Sequence, residues 1–170
     1  MFCQLKRIQI LLVTALFCLM LMPACQSNAD SQKAPDFTLL DLDNNTVSLA
    51  DFKDKVVMIN FFATYCPPCR MEIPDFVKLQ AKYEKEGFSI IGITVDENPT
   101  VLLPPFINRM GINYPVLRAT TRVLQDYRNV YALPRTFILD RRHHIIRDYT
   151  GMVSEEEIEP IIKESLGLKK

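Results

Sequence analysis

The sequence of 170 residues is 48% hydrophobic and sets 20 Lys and Arg against 20 Asp and Glu. A net charge of zero, with no basic stripe interleaved with aromatics, excludes nucleic acid as a partner. Of its five cysteines, Cys3, Cys18 and Cys25 fall near the N-terminus and only Cys66 and Cys69 lie beyond, which excludes a disulfide-rich scaffold.

Lys6 and Arg7 precede an apolar run from Ile8 to Met22, broken only by Gln9 and Thr14. A basic start, a hydrophobic stretch shorter than the ~18–20 residues that span a bilayer, and Ala24 before Cys25 predict a signal peptide over residues 1–24. The Ala24-Cys25 junction resembles the lipobox of bacterial lipoproteins, in which the cysteine is acylated on sulfur and becomes the new N-terminus. Met22 and Pro23 depart from that pattern, which prefers Leu and then a small residue. Residues 25–33 are then a lipid-anchored tether: Gln26 to Lys33 is polar and aperiodic, and about nine flexible residues reach roughly 15–18 Å. Residues 34–170 make one domain, long enough to bury a core.

Within that domain, Phe37–Leu40 and Thr46–Leu49 flank a turn-rich stretch and predict a hairpin. Val56 to Phe62 reads as a buried strand. A helical period follows from Arg70 to Lys85, with Ile73, Phe76, Leu79, Gln80 and Tyr83 on one face, a kink expected at Pro74 and an end at Gly87. Phe88 to Val95 is a second apolar strand, so the strand–helix–strand order implies a parallel pair with a right-handed crossover. A short helix from about Leu103 to Met110 is expected, entered through Pro104-Pro105, and then an edge strand at Tyr114–Leu117. Thr120 to Val130 reads as a helix with Val123, Leu124 and Tyr127 inward. Thr136–Leu139 and Ile145–Thr150 form an antiparallel hairpin whose tip should hold His143 and His144 in solvent. Ser154 and Glu157 make a capping box for a last helix, with Ile158, Ile161, Ile162 and Leu166 inward; Pro160 implies that this helix is kinked or starts later.

The chemistry is concentrated in Cys66-Pro67-Pro68-Cys69, where a strand becomes a helix. Unpaired N–H groups and the positive end of the helix dipole favour a thiolate there, and Pro67 suits the first turn, where its missing N–H has no partner anyway. Cys66 is expected to be the acidic, exposed nucleophile. Cys69, one turn further in, should face the protein and close a disulfide with Cys66, a division of labour suited to dithiol–disulfide exchange. A structural zinc needs four ligands, commonly from a second CxxC, and no second CxxC exists. The alternative from another class is a copper-binding or copper-delivery protein with two soft thiolates, for which Met71 is the one close additional ligand.

From Ala34 to about Gly167 the chain resembles the TlpA/ResA-like thiol-disulfide oxidoreductases of the thioredoxin superfamily. The residues that carry the resemblance are Ala34-Pro35-Asp36-Phe37, the run from Asn60 through Cys66-Pro67-Pro68-Cys69 to Pro74, and Leu133-Pro134-Arg135-Thr136-Phe137. It implies an α/β thioredoxin-like fold: a central mixed sheet of four to five strands flanked by helices, with an N-terminal β-hairpin and an insert around Glu97 to Met110. It implies a cis Pro134 facing the cysteines, with the Leu133 backbone free to pair with an extended substrate peptide. Glu72 would be a buried acid that tunes thiol acidity and relays a proton to Cys69, and Glu97 a second acidic position. Tyr65 stands where the family usually has Trp and keeps an aromatic lid. Arg135 replaces a small residue; it would sit near Cys66, lower its pKa and favour acidic substrate segments.

On this reading Cys66, Cys69 and Glu72 are catalytic, while Tyr65, Pro67, Pro68, Leu133, Pro134 and Arg135 contact substrate. No metal is expected, and no cofactor beyond the Cys66–Cys69 disulfide. A peroxiredoxin opens similarly but needs a proline and a Thr or Ser ahead of its cysteine, where Ile59 and Ala63 stand. The resemblance implies a membrane-anchored lipoprotein on the periplasmic side of a bacterial envelope. It would reduce disulfides of exported proteins, apocytochrome c among them, with a membrane thiol-disulfide transporter as electron donor. A disulfide donor is the alternative, since CxxC couples run from about −270 to about −120 mV and the sequence does not fix the direction.

Overall fold

The structure is a computed structural model that describes residues 32–168, so the expected signal peptide and Cys25 lie outside the described residues. Strand β3 (Val56–Phe62) is buried along its whole length and forms the centre of the sheet. Its side chains alternate, as the two-residue period of a strand requires: Val56, Met58 and Phe62 enter one core, and Val57, Ile59 and Phe61 the other. β4 (Phe88–Thr94) runs parallel to β3 in the register Val56↔Phe88, and β5 (Val116–Arg118) runs parallel to β4 at the edge. On the other side β6 (Arg135–Leu139) is antiparallel to β3 and β7 (Ile145–Thr150) antiparallel to β6. The five-stranded order is thus β5-β4-β3-β6-β7, and β1 (Thr38–Leu40) with β2 (Thr46–Ser48) makes the separate expected hairpin.

Four helices cover the sheet. α1 (Pro67–Tyr83), α2 (Pro99–Met110) and α4 (Glu155–Leu166) send Ile73, Phe76, Leu79, Leu103, Phe106, Ile158 and Ile162 onto one face. The hairpin, a 3-10 turn at Leu49–Phe52 and the short α3 (Thr121–Asp126) cover the opposite face with Phe37, Leu39, Phe52, Val123 and Tyr127. Among the described residues no helix is long and apolar enough to cross a membrane. The mixed α/β architecture and the strand–helix–strand unit follow the sequence expectation.

Several boundaries differ, each for a local reason. α1 begins at Pro67 rather than Arg70, because Cys66 itself caps it. α2 begins at Pro99, four residues before the expected start, so Pro104 and Pro105 lie inside it; Pro74 and Pro160 lie inside α1 and α4 in the same way. The carbonyls four residues upstream belong to the exposed Arg70, Thr100, Val101 and Glu156, where water can replace the missing N–H donor. α4 therefore starts directly after Ser154, whose hydroxyl accepts from Glu157 N at 3.4 Å. α3 stops at Asp126 because Tyr127 turns inward to donate its hydroxyl to Pro35 O at 2.9 Å, and Arg128 and Asn129 follow in the left-handed region. His143 is not in solvent: its ring nitrogen lies 3.0 Å from Phe52 O, since the β6–β7 turn folds onto the Leu49–Phe52 turn. At the end of the expected tether, Gln32 accepts from Ile145 N and Lys33 pairs with His144.

Candidate active site

β3 ends at Phe62, the chain turns through Ala63, Thr64 and Tyr65, and Cys66 opens α1 as its N-cap, with φ −85° and ψ 109°. Its sulfur stands where a capping oxygen would, and it accepts the Cys69 N–H at 3.3 Å. Cys66 and Cys69 form a disulfide with Cα atoms 5.3 Å apart. Cys69 is fully buried and Cys66 is 7% exposed, so Cys66 is the outer sulfur but far less open than expected. Cys66 belongs to the same buried cluster as Phe62, Ala63 and Cys69.

Under the first turns of α1 lies Glu72, three residues after Cys69 and itself buried. Its carboxylate accepts from Asn60 Nδ2 at 2.8 Å and from Val153 N at 3.2 Å; Asn60 also donates to Thr136 Oγ1 at 3.0 Å. Burial pushes the Glu72 carboxyl up to about 7, against the pull of these two donors. Tyr114 stands close by, and the same burial raises its phenol. Its ring fits because Gly92, opposite Asn60 in the register, has no Cβ: one placed there would come within 3.1 Å of the Phe62 ring and 3.4 Å of Tyr114.

The Leu133–Pro134 peptide bond is cis. Extending the pairing Phe61↔Arg135 by one residue sets Pro134 beside Phe62, where the cysteine turn departs. Pro134 is buried, with its carbonyl taken by Gly151 N at 2.9 Å, and Leu133 is half-buried. Tyr65 is 69% exposed, Pro67 is exposed and Pro68 half-buried; Pro67, Arg70 and Met71 line a cleft of about 420 Å³ together with Met110 of α2. The Arg135 guanidinium is already engaged on its own sheet. It is held by Asp148 and by Thr150 Oγ1, and stacks 4.7 Å over the Phe137 ring. Among the described residues no group of three or more His, Cys, Asp or Glu side chains converges as a metal site would require.

This arrangement can be set against known proteins. Residues 31–148 match the AhpC/TSA family. The thiol-disulfide oxidoreductase ResA of Geobacillus kaustophilus is 37% identical over 127 residues, which is 74% of this chain and 72% of the relative. The chain belongs to the ResA thiol-disulfide oxidoreductases. ResA of Halalkalibacterium halodurans is 30% identical over 78% of this chain and 74% of its own length. In three dimensions, a thioredoxin-family thiol:disulfide interchange protein from Chlorobium tepidum superposes with a TM-score of 0.74 at 33% identity, over 83% of this chain and all of the other. The fold is thioredoxin-like.

Two features of this ResA-type site were not singled out from the sequence. Asn60 is the one strongly polar side chain in the apolar run of β3, a visible signal of a buried partner, and that partner is Glu72. The acid that matters after β4 is Asp96 rather than Glu97, which is exposed. Asp96 is buried and accepts from Thr64 N at 3.0 Å, Thr64 Oγ1 at 2.7 Å and Thr94 Oγ1 at 2.6 Å. Strand alternation puts Asp96 on the same side as Thr94, but both faces of β4 are covered, so the period alone leaves the burial of Asp96 unread.

Proposed function

We propose that the chain is an exported, membrane-tethered oxidoreductase that reduces disulfides in other exported proteins. The observation that carries this reading is the Cys66–Cys69 pair at the α1 N-terminus, one sulfur at the surface edge and the other sealed, with a buried carboxyl one turn deeper. The Cys66 thiolate attacks one sulfur of a substrate disulfide, breaking the substrate S–S bond, releasing the other sulfur as a thiolate and leaving a mixed disulfide. Cys69 then loses its proton to the Glu72 carboxylate and attacks Cys66 Sγ; the substrate leaves as a dithiol and Cys66–Cys69 is oxidised. A group poised near 7 can accept that proton and release it again at neutral pH.

The leader and the Ala24-Cys25 junction support export and lipid attachment at Cys25. Oxidised apocytochrome c, whose disulfide is reduced to the haem-binding thiols, is one client class, and a membrane thiol-disulfide transporter is the electron source. The deciding measurement is the potential of Cys66–Cys69 in the chain from Gln26 onward, equilibrated against thiol buffers. A value near or below about −250 mV supports a reductant; one near −120 mV reverses the arrow and makes it a disulfide donor. Cys69→Ser should accumulate covalent complexes through Cys66, and their absence in an exporting cell would count against substrate exchange. Cys25→Ala should release the chain from membranes.

A further inference from the structure

We propose that Asp96 is a positioning residue for the reaction: it fixes the turn from which Cys66 presents its sulfur to the Cys69 N–H. This rests on Cys66 being the attacking thiolate, as proposed above. The backbone pairing of β3 with β4 ends where Val95 N donates to Phe62 O at 3.0 Å. Beyond that point the Asp96 carboxylate takes over, receiving both the backbone N–H and the hydroxyl of Thr64. Thr64 lies inside the turn closed by Cys66 N donating to Ala63 O at 3.2 Å, two residues before the sulfur that accepts the Cys69 N–H. A carboxylate with three donors in a buried setting is a stiff anchor, because hydrogen bonds to a charged acceptor are shorter and stronger than those between neutral groups. Thr94, anchored in β4, orients it from the other side. The sulfur's position is therefore referenced to the sheet through Asp96, and its stabilising N–H is kept in line.

The charged groups around this turn are Arg70 and Glu72 on α1, Glu97 beside Asp96, Arg118 on β5 across the adjoining cleft, and Arg135, which Asp148 engages. Of these charged side chains, among the contacts of the described residues, Asp96 alone hydrogen-bonds Thr64 in the turn. A positional role and a charge role have opposite signs. As a like charge near Cys66, Asp96 would oppose the thiolate, and removing it would make Cys66 more acidic. As an anchor, its removal loosens the Cys69 N–H and makes Cys66 less acidic.

The test uses the reduced full chain, with iodoacetamide labelling of the Cys66 peptide followed by mass across pH, and with glutathione buffers for the potential. Asp96→Ala should raise the labelling midpoint by about one pH unit, up to tenfold less thiolate at neutral pH. The dithiol is then less favoured, and the potential should move about 30 mV more negative, that tenfold change in two-electron terms. Asp96→Asn keeps an acceptor for Thr64 N and should fall between. Thr64→Ser keeps both donors and should match the parent, whereas Thr64→Val should shift the same way as Asp96→Ala by less. Should Asp96→Ala not fold, the Thr64→Val midpoint decides. A midpoint unchanged or lowered in the folded Asp96→Ala chain, or in Thr64→Val if that decides, overturns the proposal. Failure of the parent chain to exchange with a model peptide disulfide would instead sink the underlying function, an outcome separate from the midpoint.

Discussion

At the N-terminal end of α1 the Glu72 carboxylate is buried beneath the cysteines with only neutral donors, Asn60 and Val153 N, around it. At the other end Glu159 reaches across from α4 to Lys82 Nζ at 2.6 Å and to the Tyr83 hydroxyl, with Lys163 at 3.4 Å. The same side chain is driven in opposite directions: burial lifts Glu72 to about 7, while the Lys82 and Tyr83 hydrogen bonds hold Glu159 at about 2. What separates them is the charge and hydration of the partners. One end of the helix keeps a carboxyl that exchanges its proton near neutrality, and the other keeps a permanent anion beside cations suited to a helix C-terminus.

The largest expected effect removes the chemistry while leaving this contrast intact. Cys66→Ala should abolish disulfide exchange with a peptide substrate, with the fold retained by circular dichroism; residual exchange would mean that Cys69 is accessible. Next comes the Glu72 end. The unfolded chain releases the Glu72 proton near 4.5 and the folded one near 7, so between these values the folded state binds more protons. The Glu72 contribution to stability is therefore fully present below about pH 4.5 and is lost as pH rises through 7, about 3 kcal/mol for this group. Glu72→Gln has no such proton, and denaturant midpoints at about pH 5 and pH 8 should lose that part of the slope. An unaltered slope would erase the difference between the two ends.

A smaller change sharpens it. Asn60→Ala deletes the 2.8 Å donor to Glu72 and leaves the carboxylate with Val153 N alone. The anion should lose about 1.5–3 kcal/mol, which moves the inflection in stability further above 7. A downward move would show that Asn60 opposes the anion.

These two ends were unequally legible in the sequence. The apolar runs of β3 and β4 and the inward stripe of α1 follow from side-chain period, and CxxC at a strand–helix junction carries its own chemistry. Burial of Glu72 came from family resemblance, because a glutamate one turn after Cys69 looks the same in a solvated helix. Arg135 shows the opposite failure. Its place after Pro134 suggested a cation over the cysteines, yet Asp148 lies on the same face of the sheet, opposite Phe137 in the register, and captures it. That partner comes from strand pairing, which no local pattern reveals. His143 was missed likewise: a turn that looks solvated from its composition packs on a segment ninety-one residues away.

The smallest effect belongs to Glu159. Its low pKa gives stability that is present above about 4.5 and lost as pH falls toward 2, the reverse of Glu72. Yet Lys82 and Lys163 are both exposed enough for water and salt to screen them, so the pair is worth under about 1 kcal/mol despite the size of the shift. Glu159→Gln should cost that much at neutral pH and low salt, nearly nothing in about 1 M salt, and leave disulfide exchange unchanged. Tyr83→Phe keeps both cations and should cost less, with little salt dependence. A salt-insensitive loss in Glu159→Gln would place the weight on the Tyr83 hydroxyl instead, and the C-terminal end of α1 would then be held, like its N-terminal end, by neutral donors.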